Sequence, residues 1–350
     1  LLDRLLLNEK RMNGMIESLE SVIALPDPVG EVFDQMKNSN GLIIGKQRMP
    51  LGVIGMIYES RPNVTVEASS ITIKSGNGIM LRGGSEAFHS NLALAEIIHE
   101  GIRKAGFNEN MVGVFETTDR EAVNHMLKAD HLIDVIIPRG GEGLIKFVCD
   151  NSTVPVIKHD KGTCTLFVNH DAPLEMAKKI AVNAKVQRPG VCNAIENIIF
   201  HKDYQHVKEV LDALKAENVE IRCYGKIADL YKDGKKIDDM NEFNIEYLDL
   251  IISTKFVDSV EEAVSLINEY GSGHSDSIIS KDYFDIQKFT NEVRSAAVYA
   301  NASTRFTDGF AFGLGAEIGI STNMLHARGP VGLKELTTYK YVVFGEGQIR

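Results

Sequence analysis

The run Leu51-Gly-Val-Ile-Gly-Met-Ile-Tyr58 is almost entirely apolar, which is the pattern of a β-strand covered on both faces. Helix-like and strand-like segments alternate after it: residues 64–74 are helix-like, 78–81 strand-like and 85–104 helix-like. The alternation continues to a strand-like segment that ends at Ile137. This rhythm predicts a parallel sheet with right-handed crossovers and helices on both faces.

A second alternating region begins after residue 157. Its first strand-like segment is Cys164 to Val168, and its last is Ala296 to Ala300. Because 350 residues are too many for one ordinary core, we expect two α/β domains. Two strand-like segments, 42–48 and 339–344, stand apart from both regions. We expect them to form an arm that adds a strand to a partner subunit, since an exposed strand edge is otherwise an aggregation liability.

The composition is that of a globular protein with an acidic surface. Apolar residues make up 44% of the chain, charged residues 25%, and the net charge is −10. A charge of this sign argues against nucleic acid or an anionic membrane as a partner. No apolar run approaches the roughly 18 residues of a membrane helix, and the leucine-rich start carries charges that a signal peptide lacks. We therefore expect a cytoplasmic protein.

The cysteines are Cys149, Cys164, Cys192 and Cys223. They show neither CxxC spacing nor a nearby histidine in a metal-ligand pattern. We therefore predict no metal site and expect reduced thiols, as in a cytosolic enzyme. The chain opens on Leu1 rather than methionine, so we expect a further N-terminal segment in the natural protein.

The chemistry is expected in the stretch Gln187-Arg-Pro-Gly-Val-Cys-Asn-Ala194. Residues 173–186 before it are helix-like, and residues 195–200 after it are strand-like. The proline and glycine end the helix and force a turn, so Cys192 is predicted on a tight connection where its thiol can face a cleft. A cysteine is more often a small buried apolar residue than a nucleophile, but its flanking residues favour the nucleophile here.

Two glycine clusters, Arg82-Gly83-Gly84-Ser85 and Arg139-Gly140-Gly141, lie at predicted strand ends. Each precedes a helix, so backbone amides and an arginine would be placed to bind a phosphate. Neither cluster has the GxGxxG spacing, and glycine turns alone are more often structural, so both interpretations stay open. The stretch Thr118-Asp-Arg-Glu121 is interpreted as a capping box that starts the next helix.

Six motifs carry a resemblance to a known family. They are Pro50-Leu-Gly-Val-Ile-Gly-Met-Ile-Tyr-Glu-Ser-Arg-Pro-Asn63, Leu81-Arg-Gly-Gly-Ser-Glu86, Asp134-Val-Ile-Ile-Pro-Arg-Gly-Gly141, Gln187 to Ala194, Asn301-Ala-Ser-Thr-Arg-Phe-Thr-Asp-Gly309 and Phe312-Gly-Leu-Gly-Ala-Glu-Ile-Gly-Ile-Ser321. With them the chain resembles the γ-glutamyl phosphate reductases, which are the glutamate-5-semialdehyde dehydrogenases of proline biosynthesis and a branch of the aldehyde dehydrogenase superfamily. The resemblance extends over the whole chain.

The resemblance implies an aldehyde dehydrogenase-like α/β fold with two Rossmann-like domains. The NADPH-binding domain would comprise 1–36 and 51–160, the catalytic domain 161–335, and a small β-arm for oligomerisation 37–50 and 336–350. It also implies a homo-oligomer, either a dimer or a tetramer. The reaction implied is NADPH-dependent reduction of L-glutamyl 5-phosphate to L-glutamate 5-semialdehyde with release of phosphate, the second step from glutamate to proline.

The residues of the expected site follow from that chemistry and from the matching motifs. An acyl phosphate has a good leaving group, so the enzyme needs a nucleophile that forms a thioester and then accepts hydride at the same carbon. Cys192 supplies it. Asn63 matches the superfamily's side-chain amide that would hold the oxyanion together with the Cys192 backbone N–H. The other interpretation of Asn63 is a turn residue after Pro62.

The resemblance also assigns the cofactor contacts. Arg82 stands where the superfamily has a lysine near the adenosine ribose, and a guanidinium suits the 2′-phosphate of NADPH. Gly83, Gly84 and Ser85 continue that turn. Glu246 resembles the superfamily glutamate that holds the nicotinamide ribose.

The sequence departs from its relatives at three places. Hydrolytic aldehyde dehydrogenases use a glutamate near residues 158–162, and this chain has none there. That suits an enzyme that must keep water from its thioester, although His159 or Asp160 could act as a base. The stretch 162–165 is Gly-Thr-Cys-Thr where Gly-Ile-Cys-His is common, and Phe310-Ala311 stands where glycine and glutamate are usual.

Three alternatives remain open. The first is a dehydrogenase that oxidises an aldehyde to a free acid, against which the missing glutamate counts. The second is a non-catalytic dinucleotide-binding homologue, although such a scaffold has no chemical need for Cys192, Asn63 and the glycine turns together. The third is that this chain is one half of a bifunctional kinase-reductase. A functional coupling to glutamate 5-kinase is expected whether the kinase is fused to this chain or is a separate protein.

Overall fold

The computed structural model describes residues 5–158 and 161–350. The described residues form two compact units. The first comprises residues 5–158 and 312–350, and the second comprises residues 161–311. Each unit has its own parallel sheet. The alternating pattern of the sequence therefore predicts the architecture of both units correctly.

The described elements of the first unit are helices and strands in alternation. The helices are α1 (Glu9–Ala24), α2 (Asn63–Lys74), α3 (Phe88–Lys104), α4 (Glu121–Leu127) and α5 (Glu142–Asn151), with short 3-10 turns at Ser85–Ala87 and Glu109–Met111. The strands are β1 (Val32–Lys37), β2 (Ile43–Pro50), β3 (Val53–Tyr58), β4 (Gly78–Gly83), β5 (Val112–Val114), β6 (Val135–Arg139), β14 (Ile320–Ser321), β15 (Gly329–Pro330) and β16 (Thr337–Phe344).

The apolar run at residues 51–58 forms the centre of the first unit. Its strand β3 pairs in parallel with β4 on one side and with β6 on the other, in the order β5-β4-β3-β6. Ile54 and Met56 are fully buried on it. Because both faces of β3 are covered, a continuous apolar sequence is what this position requires, and the prediction of a doubly covered strand is confirmed.

The stretch 312–335 packs with the first unit rather than with the second. Ala316, Ile318 and Val331 are buried in the same core as Ile54, and the Asn323 side-chain amide donates to the Val156 carbonyl at 3.0 Å. This differs from the predicted catalytic domain, which extended to residue 335. The apolar side chains that follow the second sheet are buried in the first core, and sequence order alone does not reveal this.

The second unit contains a larger sheet. Its described helices are α6 (Leu174–Val186), α7 (Val207–Ala216), α8 (Ile227–Leu230), α9 (Val260–Tyr270) and α10 (Tyr283–Glu292), with 3-10 turns at Met240–Asn244 and Thr304–Phe306. The strands are β7 (Cys164–Val168), β8 (Ile195–His201), β9 (Glu220–Tyr224), β10 (Lys235–Ile237), β11 (Ile251–Val257), β12 (Ser275–Ile279) and β13 (Ala297–Ala300). They pair in parallel in the order β10-β9-β11-β8-β7-β12-β13.

The two isolated segments of the sequence pair with each other. β16 runs antiparallel to β2 over eight residue pairs, from Thr337 opposite Pro50 to Phe344 opposite Ile43. β1, which the sequence pattern did not reveal, lies on the other side of β2. Several large side chains of β16 are exposed, among them Tyr341 and Phe344.

The capping-box interpretation is wrong. Helix α4 begins at Glu121, its N-cap is Arg120, and no side chain caps it from that position. The Asp119 carboxylate instead accepts the Glu121 N–H at 2.9 Å, and the Thr118 and Asp119 carbonyls are bound by Arg82. A long-range contact therefore overrides the local signal. Among the described residues, no helix is long and apolar enough to cross a membrane.

Candidate active site

Cys192 lies on the connection between α6 and β8, as the sequence predicts. Helix α6 ends at Val186 and β8 begins at Ile195. Within the connection, the Ala194 N–H donates to the Val191 carbonyl at 3.0 Å and closes a turn around the cysteine. The Cys192 residue is half-buried, so a thiol at this position is neither sealed in the core nor fully in solvent.

A buried ion pair fastens the two ends of this connection, which we call the cysteine loop (residues 187–194). Lys185 in the last turn of α6 lies 2.7 Å from the Glu196 carboxylate in β8, and both side chains are completely buried. Burial raises the pKa of Glu196 to about 7 against the opposing effect of Lys185, and burial lowers the pKa of Lys185. Loss of one partner would leave an uncompensated buried charge at a cost of about 3–5 kcal/mol.

A second thiol supports the cysteine loop from inside the unit. The Cys164 thiol lies 3.2 Å from the Cys192 carbonyl oxygen and donates to it. Cys164 is fully buried, and this burial raises the pKa of its thiol well above the ordinary value. It is therefore held as a neutral thiol, which is a poor nucleophile. The two cysteines differ in chemistry because they differ in burial.

The segment 303–308 is docked on the other side of the loop. The Thr304 hydroxyl donates to the Asn193 carbonyl at 2.7 Å, and the Asn193 amide donates to the Thr307 carbonyl at 2.8 Å. Arg305 donates through Nε to the Gln187 side-chain oxygen at 3.0 Å. These bonds join residues more than a hundred positions apart and fix Arg305 beside the loop.

The structure brings Glu246 to the neighbourhood of Cys192. The Gly162 N–H donates to a Glu246 carboxylate oxygen at 2.8 Å. Gly162 itself lies so close to Cys192 that a Cβ on it would overlap the Cys192 backbone. Any side chain at position 162 would displace the cysteine loop, and the glycine therefore has a packing reason to be there.

Asn63 is the first residue of α2, in the first unit. Its Nδ2 donates to the Glu67 carboxylate one turn along the helix, at 2.9 Å. A side-chain amide carries two N–H groups, so this bond fixes the orientation of Asn63 and leaves its second N–H for another acceptor. The interpretation of Asn63 as only a turn residue is wrong, because it lies within the helix.

Arg82 has partners that the sequence did not predict. Its guanidinium donates to the backbone carbonyls of Gly83, Thr118 and Asp119, and the residue is buried. It therefore ties the end of β4 to the segment before α4. Glycines 83 and 84 are needed for close packing, since a Cβ at Gly83 would overlap the Asn91 side chain.

Glu86 contributes a carboxylate next to the turn formed by residues 82–85. A Cβ on Gly84 would overlap it, and its Oε1 accepts the Ser60 N–H at 2.6 Å and the Ser60 hydroxyl at 2.8 Å. Burial works to raise the pKa of Glu86, but hydrogen bonds from its own backbone N–H and from Ser60 outweigh it and hold the pKa below the ordinary value. The side chain is exposed and presents an anionic acceptor.

The second turn, at Arg139, Gly140 and Gly141, also carries a carboxylate. Glu59 at the end of β3 accepts the Gly141 N–H at 2.9 Å, directly before the first residue of α5. A carboxylate at a helix N-terminus satisfies the amide and the helix dipole. One donor of the expected phosphate site, the Gly141 N–H, is therefore bound to the chain's own carboxylate, and Arg139 donates to the Ile318 carbonyl at 3.0 Å.

His159 and Asp160, the two candidates for a base, lie outside the described residues. Among the residues that are described, no group of three or more histidine, cysteine, aspartate and glutamate side chains is arranged to hold a metal ion. The departure at Thr163 and Thr165 falls inside the core of the second unit, where both threonines are buried. Phe310 is exposed at the end of the second unit.

Comparison with known proteins identifies the family. The sequence pattern of the aldehyde dehydrogenase family matches residues 7–228. A curated protein of Persephonella marina named gamma-glutamyl phosphate reductase is 52% identical over 359 residues, covering 100% of this chain and 81% of the relative. A protein of the same name from Caldanaerobacter subterraneus subsp. tengcongensis is 53% identical over 352 residues, covering 100% and 85%. The chain belongs to the gamma-glutamyl phosphate reductases of the aldehyde dehydrogenase family.

A solved structure agrees with this membership. The crystal structure of gamma-glutamyl phosphate reductase from Thermotoga maritima superimposes with a TM-score of 0.96 at 48% identity, covering 99% of this chain and 84% of that chain. The predicted family and the aldehyde dehydrogenase-like α/β fold are thus confirmed. The protein is an oxidoreductase of the aldehyde dehydrogenase type, a family that uses a nicotinamide cofactor.

Proposed function

We propose that the protein reduces L-glutamyl 5-phosphate to L-glutamate 5-semialdehyde with NADPH, releasing phosphate, as the second step of proline biosynthesis from glutamate. The observation that carries the proposal is Cys192: a half-buried thiol on a loop whose ends are fastened by a buried ion pair. The relatives at 52% and 53% identity carry the name of this activity. A loop held so firmly suits a nucleophile that must meet its substrate in one orientation.

In the proposed mechanism, the Cys192 sulfur attacks the acyl carbon of the substrate. The bond from that carbon to the phosphate oxygen breaks, phosphate leaves, and the acyl group remains on Cys192 as a thioester. NADPH, when bound, supplies the hydride that reduces this thioester to the aldehyde and returns the cysteine sulfur. Cys164 takes no part in the covalent step, because burial raises the pKa of its thiol.

The negative charge that develops on the carbonyl oxygen requires hydrogen-bond donors. We assign this role to the second N–H of the Asn63 amide and to the Cys192 backbone N–H. The bond from Asn63 to Glu67 holds the amide in one orientation. A donor that is already oriented needs no reorganisation when the charge develops, which is the condition for electrostatic catalysis.

The turn formed by residues 82–85 offers residues that could bind the cofactor. Ser85 is exposed in this turn, next to the Glu86 carboxylate, which is already bound to the Ser60 N–H and hydroxyl. Arg82 shapes this turn through its three carbonyl contacts and keeps a positive charge there for the 2′-phosphate of NADPH. Glu246, anchored by Gly162, is proposed as the contact of the nicotinamide ribose.

We assign Arg139, Gly140 and Gly141 to the junction between β6 and α5 rather than to a cofactor phosphate. The carboxylate of Glu59 occupies the Gly141 N–H that a phosphate would need. A phosphate placed there would also meet the negative charge of Glu59, which is unfavourable at this distance. The cofactor contacts that we propose are therefore Arg82, Gly83, Gly84, Ser85 and Glu246.

The direct test is a spectrophotometric assay of NADPH oxidation with glutamyl phosphate, which is generated in the cuvette by glutamate 5-kinase and ATP. We expect turnover that requires glutamate, ATP and kinase together, and slower turnover with NADH. Omitting the kinase is the control. If NADPH is not consumed in the complete mixture while the enzyme is folded by circular dichroism, the proposal is wrong.

We further propose that β1, β2 and β16 form an arm that joins subunits of a homo-oligomer. In the part of the chain that the structure describes, β16 lies at an edge of this sheet, and its Tyr341, Val343 and Phe344 side chains are more than half exposed. An apolar strand edge of this kind pairs readily with another chain. Deleting residues 339–350 should give a monomer by light scattering, and an unchanged oligomer would contradict the proposal.

A further inference from the structure

We propose that Arg188 and Arg305 form the subsite that binds the phosphate group of the substrate beside Cys192. This inference rests on the proposed function and concerns two residues that had no predicted role. Arg188 belongs to the cysteine loop itself, four residues before Cys192. Arg305 is fixed to that loop by its bond to Gln187. Two guanidinium groups thus flank the stretch that carries the nucleophile.

Two partly buried cations of this unit pair with carboxylates, whereas Arg188 and Arg305 do not within the part of the chain that the structure describes. Arg222 binds the Glu220 and Glu242 carboxylates, each at 2.8 Å, and Lys255 lies 3.3 Å from the Glu262 carboxylate. Neither Arg188 nor Arg305 forms an ion pair with a carboxylate of the described residues. No direct ion pair with these residues therefore neutralises either charge, although the protein as a whole is acidic.

The two guanidinium groups also act on one another. Burial and the nearby charge of Arg188 lower the pKa of Arg305, while Asp308, Cys192 and Cys164 oppose this. Two cations held together without a counter-ion repel each other, and an anion between them removes that cost. Arg305 is half-buried and Arg188 exposed, so the pair is open to a ligand from solvent.

Asp308, the carboxylate whose charge acts on Arg305, already accepts hydrogen bonds. The Oδ1 atom of Asp308 accepts the backbone N–H groups of Phe310 and Ala311, at 3.0 and 3.3 Å. These bonds hold the Asp308 side chain over its own turn. One oxygen of the acidic residue that influences Arg305 is thus bound to backbone donors, and among the described residues Arg305 bonds through Nε, to Gln187.

A phosphate is the anion that fits both the guanidinium pair and the reaction. Guanidinium groups bind phosphate oxygens with two parallel hydrogen bonds, which a lysine ammonium does not reproduce. In an acyl phosphate the phosphorus is separated from the acyl carbon by one oxygen atom. A cationic subsite next to the nucleophilic sulfur would therefore hold the phosphate and stabilise the charge that grows on it as the bond to carbon breaks.

The test uses the reverse reaction, in which semialdehyde, NADP and phosphate are varied independently. For Arg305→Gln and Arg188→Gln we expect the KM for phosphate to rise at least about tenfold, while the KM for semialdehyde stays within about twofold. The KM of Arg305→Lys for phosphate should lie between the values of Arg305→Gln and the wild type. Arg103→Gln, an exposed arginine of α3, is the matched control and should leave both constants unchanged.

A second readout does not depend on turnover. Iodoacetamide alkylates accessible thiols, and mass spectrometry of the Cys192 peptide gives the rate of this reaction. Inorganic phosphate should slow alkylation of Cys192 in the wild type and have no such effect in Arg305→Gln. Circular dichroism and Tm establish that each variant is folded, and a variant that is not folded is replaced by Arg305→Lys.

The outcomes separate the two proposals. An unchanged KM for phosphate in both glutamine variants would overturn the subsite. A rise in the KM for semialdehyde alone would also overturn it, since the arginines would then bind the carboxylate of the glutamyl group. If the wild type turns over without phosphate, the proposed function fails; protection of Cys192 by phosphate that is lost in Arg305→Gln would still support an anion subsite there.

Discussion

The turn at Arg139 and the cysteine loop both carry an arginine and backbone amides, but the carboxylates near them are bound differently. At the turn, the Glu59 carboxylate accepts the Gly141 N–H and occupies the start of α5. At the cysteine loop, Arg188 and Arg305 have no carboxylate partner among the described residues, and Asp308 is bonded to its own backbone neighbours.

Glycines and arginines in a sequence do not by themselves identify an anion site. Both regions contain the residue types that bind phosphate. What separates them is whether a carboxylate from a distant part of the chain has already satisfied the donors. Glu59 stands 82 residues before Gly141, so only the folded structure reveals the competition.

The largest effect is expected at the centre of the cysteine loop. Cys192→Ala should lower kcat for glutamyl phosphate reduction by at least about a thousandfold, because the covalent intermediate cannot form. NADPH binding, measured by fluorescence titration, should remain within about threefold of the wild type. Cys164→Ala is the matched control, since a buried neutral thiol should contribute to stability and not to the covalent step.

A loss of only about tenfold in Cys192→Ala would contradict this account. It would mean that the loop holds a substrate without bonding to it. A Cys164→Ala variant as inactive as Cys192→Ala, while folded with an unchanged Tm, would contradict it equally, because the two thiols would then not be distinguished by burial.

The sequence predicted the local elements of this site well. Strand β7 has the bounds that its apolar pattern indicated, and α6 and β8 agree with the prediction to one residue at each end. Periodicity and the Pro189-Gly190 turn are local signals, so they can be seen in a single sequence. The position of Cys192 between helix and strand follows from them directly.

Contacts between distant residues could not be predicted in this way. The bond from Arg305 to Gln187 joins residues 118 positions apart, and the packing of residues 312–335 into the first core depends on the whole fold. The ion pair of Lys185 and Glu196 was weakly indicated by the sequence. Each charged residue stands in an apolar segment that is expected to be buried, and a buried charge needs a partner. The sequence analysis did not use this indication.

A much smaller effect on activity is expected at the turn at Arg139. Glu59→Gln removes the negative charge from the start of α5 and keeps an acceptor for the Gly141 N–H. Because we place no phosphate at this turn, the KM for NADPH should stay within about twofold, and Tm should fall slightly as the favourable dipole interaction is lost. Glu142→Gln, in the first turn of the same helix, is the control for a change of charge alone.

A fall in the KM for NADPH of about fivefold or more in Glu59→Gln, without a similar fall in Glu142→Gln, would reverse the comparison. It would mean that the turn binds a cofactor phosphate against the repulsion of Glu59, as its sequence first suggested.

A separate prediction concerns the pH dependence of stability and tests the buried carboxylate of Asp276, which lies in β12 opposite Thr165 of β7. Asp276 is fully buried, and its carboxylate accepts the Thr165 N–H at 2.7 Å and a hydrogen bond from Ser295. Burial raises the pKa of Asp276 to about 7, against the effects of these hydrogen bonds. The native state therefore holds its proton at pH values where the unfolded state has released it.

The sign of the pH dependence follows from this difference. Between the ordinary pKa of an aspartate and pH 7, the native state binds more protons, so its stability falls as pH rises. In Asp276→Asn the amide oxygen can accept the Thr165 N–H while the amide N–H donates to the Ser295 hydroxyl oxygen, and the side chain does not titrate. The free energy of unfolding of this variant, relative to that of the wild type, should increase by about 2 kcal/mol from pH 5 to pH 7 and stay constant above pH 8. The Tm difference between the two proteins should widen over the same pH range. A Tm difference that stays constant from pH 5 upward would contradict the raised pKa of Asp276. The control Asp130→Asn, on the surface, should show no pH-dependent Tm difference from the wild type.

The most direct test of the account is the phosphate dependence of semialdehyde oxidation. NADPH formation is followed from the semialdehyde with phosphate varied from zero to saturation, and sulfate replaces phosphate to hold the ionic strength. If the Cys192 thioester is released by phosphate at a cationic subsite, sustained turnover should require phosphate and give glutamyl phosphate. Sustained turnover without phosphate, with free glutamate as the product, would show that water reaches the thioester and that the protein is a hydrolytic aldehyde dehydrogenase.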